Sequence, residues 1–257
     1  MNKIGKRPIA VLDSGLGGVS VLRHLMHELP NEDYIYFGDT ANVPYGSKTS
    51  EDICDITVKN IEMLLAEYSV KAVVIACNTA TGAAAATCRA KFDGIPIIGI
   101  EPAVKPAVTQ SGKENPTVLV MATPLTLSQE KFTSLAQKYN PNASIIPLPC
   151  DGLASLIEAG APESDIRALL KKLFSSVEGT DIDSIVLGCT HYPLIEDMIA
   201  EIFPDARIFD GGLGTALQTR RRLSELGLLS DSSEKGKITV INSAGDHSFA
   251  ERAMKHI

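Results

Sequence analysis

Basic residues are in short supply: 24 Lys and Arg face 31 Asp and Glu, a formal charge of −7 over 257 residues. With no basic stripe or domain, that balance excludes a general nucleic-acid binder. It does not exclude an acidic substrate, because backbone N–H groups can make a pocket locally electropositive. No stretch reaches the roughly 18 consecutive apolar residues that a membrane-spanning helix needs. The opening MNKIGKRPIAVLD has basic residues without a sustained apolar run behind them, so it reads as the lead-in to a first strand rather than a secretion signal. Cysteines are few and fall at 54, 77, 88, 150 and 189, an odd number with no C-x-x-C spacing. That usage predicts free thiols in a reducing compartment, the cytoplasm. Low-complexity segments are missing as well, and the most linker-like stretch, residues 110–116, is short.

What the chain does have is 44% hydrophobic and 21% charged residues, the profile of a globular protein with room for one large domain or two smaller ones. Short apolar runs alternate with longer amphipathic segments. Strands are predicted at 8–12, 33–38, 72–76, 97–100, 117–121, 144–148, 184–187, 207–209 and 238–242. Helical spacing covers 19–29, 50–68, 127–139, 162–177 and 215–226. Most of the strand runs lack polar alternation, as strands covered on both faces do. A strand–helix–strand rhythm of this kind predicts an α/β fold with mostly parallel sheets.

A weak internal repeat runs through the pattern. Ile75-Ala76-Cys77-Asn78-Thr79 and Leu187-Gly188-Cys189-Thr190-His191 share an apolar strand, a small residue, a cysteine and then polar residues, 112 positions apart. Upstream, the strand ends at Asp13-Ser14 and Ala122-Thr123 recur at an offset of 109. Two strand ends at nearly one offset predict two similar α/β halves, each contributing one cysteine to a cleft.

In open parallel sheets, ligands collect beyond the carboxyl ends of strands, where helix N-termini aim N–H groups at the crevice and stabilise a thiolate. A cysteine after a buried strand is also an ordinary small core residue, but two with matched surroundings ask for a joint account. A disulfide lacks a redox motif. Zinc needs more ligands than the Cys189/His191 fragment supplies, and a Cys–His hydrolase leaves one cysteine unexplained. A thiolate removing a proton from one face of a carbon while a thiol delivers one to the other uses both. Asp13-Ser14-Gly15-Leu16-Gly17-Gly18 fits neither the dinucleotide fingerprint nor the lysine-bearing phosphate loop; its glycines serve a tight turn. Cys54, Cys88 and Cys150 read as helix or core residues, and Arg220-Arg221-Arg222 as a solvated or salt-bridged face.

Five segments in order carry a resemblance: Leu12-Asp13-Ser14-Gly15-Leu16-Gly17-Gly18, Tyr36-Phe37-Gly38-Asp39-Thr40, Val43-Pro44-Tyr45-Gly46, Ala76-Cys77-Asn78-Thr79-Ala80 and Gly188-Cys189-Thr190-His191-Tyr192-Pro193. Together they closely resemble the signatures of the bacterial glutamate racemases, over residues 8 to about 245. The resemblance implies interconversion of L- and D-glutamate for peptidoglycan synthesis without pyridoxal phosphate, metal or other cofactor. It further implies that Cys77 and Cys189 are the proton-transfer residues, with Asp13 and His191 supporting them and Glu158 pairing with the histidine. Asp13, Ser14, Pro44, Tyr45, Gly46, Asn78, Thr79, Thr123, Thr190 and His191 match substrate-binding positions. Two places depart from the family pattern. Pro149-Cys150-Asp151-Gly152 stands where a Cys-Pro element is usual, and Phe209-Asp210-Gly211-Gly212 where Asp-Ser-Gly is.

The expectation is therefore an α/β protein of two parallel-sheet domains, 1–99 with 211–257 and 100–210, related by pseudo-two-fold symmetry with the active site in the cleft. Glutamate is the expected small-molecule substrate and a second copy of the chain, in a homodimer, the expected partner; neither membrane nor nucleic acid is. An aspartate-specific racemase is one rival, and a binding or inhibitory protein on the same scaffold is the other.

Overall fold

The computed structural model describes residues 4–257, so residues 1–3 of the expected lead-in lie outside the described residues. The chain divides into two compact units, Met1–Glu101 with Gly212–Ile257, and Pro102–Gly211. In the first, β1 (Ile9–Asp13), α1 (Val19–Glu28), β2 (Tyr34–Gly38), α2 (Ser50–Tyr68), β3 (Ala72–Ile75), α3 (Asn78–Lys91) and β4 (Ile97–Gly99) follow one another. The second contains α4 (Val104–Thr109), β5 (Thr117–Ala122), α5 (Pro124–Ser128), α6 (Glu130–Tyr139), β6 (Ser144–Pro149), α7 (Leu153–Glu158), α8 (Glu163–Phe174), β7 (Ser184–Leu187), α9 (Glu196–Ile202) and β8 (Arg207–Asp210). The chain then adds α10 (Gly212–Glu225), β9 (Ile238–Asn242) and α11 (Ser248–Met254) to the first unit.

Both units carry a parallel sheet. The first runs β4-β3-β1-β2-β9 and the second β8-β7-β5-β6. Counted from the first strand of each unit, the shared four-strand order is identical: fourth, third, first, second. This is the structural content of the sequence repeat. β1 corresponds to β5 and β3 to β7, so Cys77 and Cys189 each stand two residues beyond the end of equivalent strands.

The strands lack polar alternation because both of their faces are covered. In β5, Leu119 and Met121 pack with α7 and α8 through Leu153, Ile157, Ile166 and Leu170. The alternate residues Val118 and Val120 pack with Val104, Ala107 and Phe132 of α4 and α6 on the other face. β1 is the corresponding strand of the first unit, and all five of its residues, Asp13 included, are buried.

The nine strand predictions all fall on strands, with no end displaced by more than one residue. The helices differ more. The single helix expected over 127–139 is two, α5 and α6, because Gln129 adopts an extended ψ of 140° between them. Its start also moves upstream, to Pro124, whose fixed φ suits a first helical position and whose neighbour Thr123 caps it by accepting from Thr126 N at 3.2 Å. The helix expected from 162 ends as α8 at Phe174 and continues as a 3-10 turn over Ser175–Val177. Short α4, α7, α9 and α11 have too few turns for periodicity to reveal. Arg220 pairs with Glu28, and Arg221 and Arg222 with Glu225, so the arginine run is the salt-bridged face expected of it.

Candidate active site

In the first unit, three neighbouring strands deliver polar groups at one sheet edge. Asp13 closes β1, Asp39 follows β2, and Cys77 lies just past β3, with Asp13 in register with Gly38 and Leu12 with Ile75. Asp13 is wholly buried, and its Oδ2 accepts from the backbone N–H of Gly15 at 3.1 Å and of Gly18 at 3.0 Å. The glycines make that cradle sterically open. A Cβ on Gly18 would stand 2.5 Å from Cβ of Asp13 and 2.9 Å from the Tyr36 hydroxyl. Tyr36 in turn donates to Gly15 O at 2.6 Å, fixing the turn from the far side.

Cys77 is the N-cap of α3, with extended φ and ψ of −72° and 124°, and its Sγ accepts from Ala80 N at 3.5 Å. The sulfur thus occupies the place a cap oxygen usually takes. α3 opens Asn78-Thr79-Ala80 and is alanine-rich beyond that, which lets it lie close to the sheet. Thr81 donates to Ile75 O at 3.1 Å, and a Cβ on Gly99 would collide with the Thr81 methyl at 2.5 Å. Ser14, Asn78 and Thr79 are buried around this end of the sheet. The Asn78 Oδ1 is buried without a hydrogen-bond partner. An acceptor left open in a polar site is what a ligand donor completes.

Tyr45 and Gly46 lie on a 3-10 turn, Tyr45–Ser47, reached through the cis Val43–Pro44 bond. The Tyr45 hydroxyl donates to Asp39 Oδ2 at 2.6 Å. Burial pushes its phenol far above the ordinary range, and the negative charges of Asp39, Cys77 and Asp13 add to the effect. The phenol therefore stays protonated; of the residues that act on it, Cys77 and Asp13 are predicted site residues of this unit and Asp39 is not.

The second unit supports its cysteine differently. Sequence reasoning expected a helix N-terminus at both cysteines, but Cys189 has none immediately behind it. A 3-10 turn, Tyr192–Ile195, intervenes before α9. The nearest partner of its sulfur is instead a ring nitrogen, His191 Nδ1 at 3.8 Å, and His191 Nε2 lies 2.6 Å from Glu158 Oε2 at the end of α7. Beside a carboxylate, Nε2 carries a proton and donates. Nδ1 then accepts from the Cys189 thiol, or holds a proton opposite its thiolate. Both states are hydrogen-bonded, so this side can give or take a proton without leaving a buried group unpaired.

Thr123, after β5, and Thr190, between Cys189 and His191, are buried in the same unit. Gly188 permits the approach, since a Cβ there would meet Met121 O at 2.9 Å. Behind Cys189 lies a wall that the sequence did not reveal. Tyr192 is fully buried and donates to Cys150 O at 3.3 Å. Burial, with the charge of Cys189 as the second cause, pushes the Cys150 thiol up to about 12. Cys88 is likewise pushed up to about 11, by burial first and Cys54 second. Both stay protonated at neutral pH, consistent with the core roles read for them. Among the described residues all five cysteines are free, no group of three or more His, Cys, Asp or Glu could hold a metal ion, and no helix is long and apolar enough to cross a membrane.

Two parallel-sheet units of one topology, each ending a corresponding strand in a buried cysteine, define a class. The chain belongs to the family described as Asp/Glu/Hydantoin racemase, which matches residues 9–218. Within that class it is 47% identical to the glutamate racemase of Clostridium botulinum strain Alaska E43 over 98% of this chain and 97% of that protein. Two solved structures share the fold. The glutamate racemase of Francisella tularensis in complex with D-glutamate has a TM-score of 0.83 at 31% identity, covering 98% of this chain and 94% of that one. That of Escherichia coli, in complex with L-glutamate and the activator UDP-MurNAc-ala, has a TM-score of 0.84 at 28% identity, covering 97% and 95%.

Proposed function

We propose that this chain is a glutamate racemase whose two cysteines work opposite faces of one Cα. A thiolate removes the α-proton, the second cysteine delivers a proton to the other face, and the roles exchange in the reverse direction. The observation that carries this reading is the equivalence of Cys77 and Cys189 at matched strand ends of a duplicated topology, each with its own supporting polar group. Asp13 supports the Cys77 side. His191, held by Glu158, supports Cys189 and keeps its proton mobile.

The α-proton of an amino acid is a very weak acid, so negative charge developing on the α-carboxylate has to be stabilised. Ser14, Thr79, Thr123, Thr190 and the backbone of Tyr45-Gly46 supply neutral donors for two carboxylates, and the open Asn78 Oδ1 is an acceptor for the substrate ammonium. Pro44 fixes the approach of the Tyr45-Gly46 turn. The product D-glutamate serves peptidoglycan synthesis, the setting is cytoplasmic, and the working form is a homodimer. Steady-state assays with both enantiomers of glutamate and of aspartate test the reading; turnover of aspartate alone would overturn it.

Two variants probe the supports. Glu158→Gln keeps a hydrogen-bond partner for His191 Nε2 but removes the charge that stabilises an imidazolium opposite the Cys189 thiolate. Its kcat/KM for glutamate is expected to fall about a hundredfold, with the unfolding midpoint nearly unmoved; undiminished turnover would show that the pair is only structural. Gly18→Ala forces its methyl into Asp13, and overpacking of this kind costs about 1–3 kcal/mol. Because the displaced group is Asp13, turnover is expected to fall by about tenfold or more as well. Chemical denaturation and racemisation assays on the same preparation separate the two effects.

A further inference from the structure

We infer that Asp39 is a positioning residue for substrate binding, acting through the hydroxyl of Tyr45 and the amide of Asn42. This inference rests on the racemase reading and deepens it, adding two residues that no motif reading had assigned a task. Asp39 is wholly buried at the end of β2, with its backbone N–H donating to Asp13 O at 2.9 Å. Its carboxylate takes the Tyr45 hydroxyl at 2.6 Å on Oδ2. The Asn42 Nδ2 spans the same carboxylate, at 2.9 Å to Oδ1 and 3.1 Å to Oδ2. One buried carboxylate thus grips the loop 39–46 at its middle and near its end.

A buried carboxylate is expensive unless its lone pairs are filled, and here neutral donors fill them. The stabilisation comes only if the loop is closed down, because Asn42 and Tyr45 both belong to it. The outer side of the loop is held separately, Ala41 N donating to Ser243 Oγ at 2.9 Å and Thr40 Oγ1 to Asn242 Oδ1 at 3.2 Å. Those ties end at residue 41. Asp39 instead reaches the part of the loop, Asn42 to Gly46, that includes the proposed substrate positions.

The grip also assigns Tyr45 its task. With its hydroxyl donated to Asp39 and its ring buried, Tyr45 has no phenolic proton to offer a ligand; what it presents is backbone. Asp39 therefore sets where the Tyr45-Gly46 N–H groups stand, which bears on binding a carboxylate and leaves the proton-transfer residues themselves untouched.

Tyr45→Phe, Asp39→Asn and the double variant test this in the full-length enzyme. Tyr45→Phe keeps the ring and removes only the bond. Its KM for L- and D-glutamate is expected to rise about tenfold, the scale of one lost hydrogen bond to a charged group, with a much smaller change in kcat. Asp39→Asn is expected to raise KM at least as far, and the double variant no further than Asp39→Asn alone, because the two residues act as one unit. Effects that multiply in the double variant would overturn the inference, as would lowered melting temperatures with unchanged KM. Absence of glutamate turnover in the parent enzyme is a different result, and would remove the racemase reading itself.

Discussion

Replacing either Cys77 or Cys189 by alanine is expected to lower racemisation of glutamate by about a thousandfold or more, the scale set by loss of a positioned general acid or base. Each variant loses one of two groups that must act in the same turnover, so neither cysteine can cover for the other. The loss is expected to be equal in the two directions when expressed as kcat/KM. L- and D-glutamate are mirror images in water, their equilibrium constant is unity, and no variant can change that. Individual kcat values are free to diverge, because the supports differ: a cap N–H from Ala80 at Cys77, an imidazole–carboxylate pair at Cys189. In deuterated water, product from either enantiomer is expected to carry deuterium at Cα while remaining substrate gains little early in the reaction. Full activity in either single variant would refute a two-base mechanism. Extensive early exchange into substrate would point instead to one base that trades its proton with solvent.

Much of the fold was legible because parallel strands covered on both faces write themselves as continuous apolar runs. Val118 to Met121 faces helices on both sides, and nothing in the run needed to be polar. The repeat was legible through its cysteines and through the strand ends at Asp13 and Ala122, and the identical strand order in the two units gives it structural substance. The local setting of Cys189 was not legible. Its three-residue approach to a 3-10 turn looks, in letters, much like the Cys77 approach to α3; the resemblance implied His191 as a support, but the residue pattern by itself predicted a helix N-terminus. The tasks of Asp39 and Asn42 were not legible for another reason. Their meaning depends on a carboxylate, an amide and a phenol converging after a cis bond and a tight turn, and spacing along the chain does not encode convergence. The pairing of Glu158 with His191 joins residues 33 positions apart and came from resemblance, not from pattern.

The largest effect on stability is expected far from these residues, at the opposite ends of the same strands. Lys71 precedes β3 and is buried together with Glu32, which precedes β2. The ammonium pairs with the Glu32 carboxylate and donates to Gly5 O, and Glu32 Oε1 accepts from Ser230 N at 2.8 Å. Those bonds connect the start of the chain, two central strands and the segment leading to β9. Lys71→Met removes the cation and leaves a carboxylate buried with a single backbone donor, so a loss of about 3–5 kcal/mol is expected. Pairing it with Glu32→Leu removes the stranded charge as well. The double variant is expected to recover part of the loss but not all, since the Ser230 N–H then goes without its acceptor at a cost of about 1–3 kcal/mol. Denaturant titration of the parent, both single variants and the double variant measures the coupling directly. A Lys71→Met protein as stable as the parent would overturn the claim that this pair holds the strand ends. Glutamate turnover per folded molecule is expected to stay at the parental level, because the pair anchors the strand ends that point away from Asp13 and Cys77.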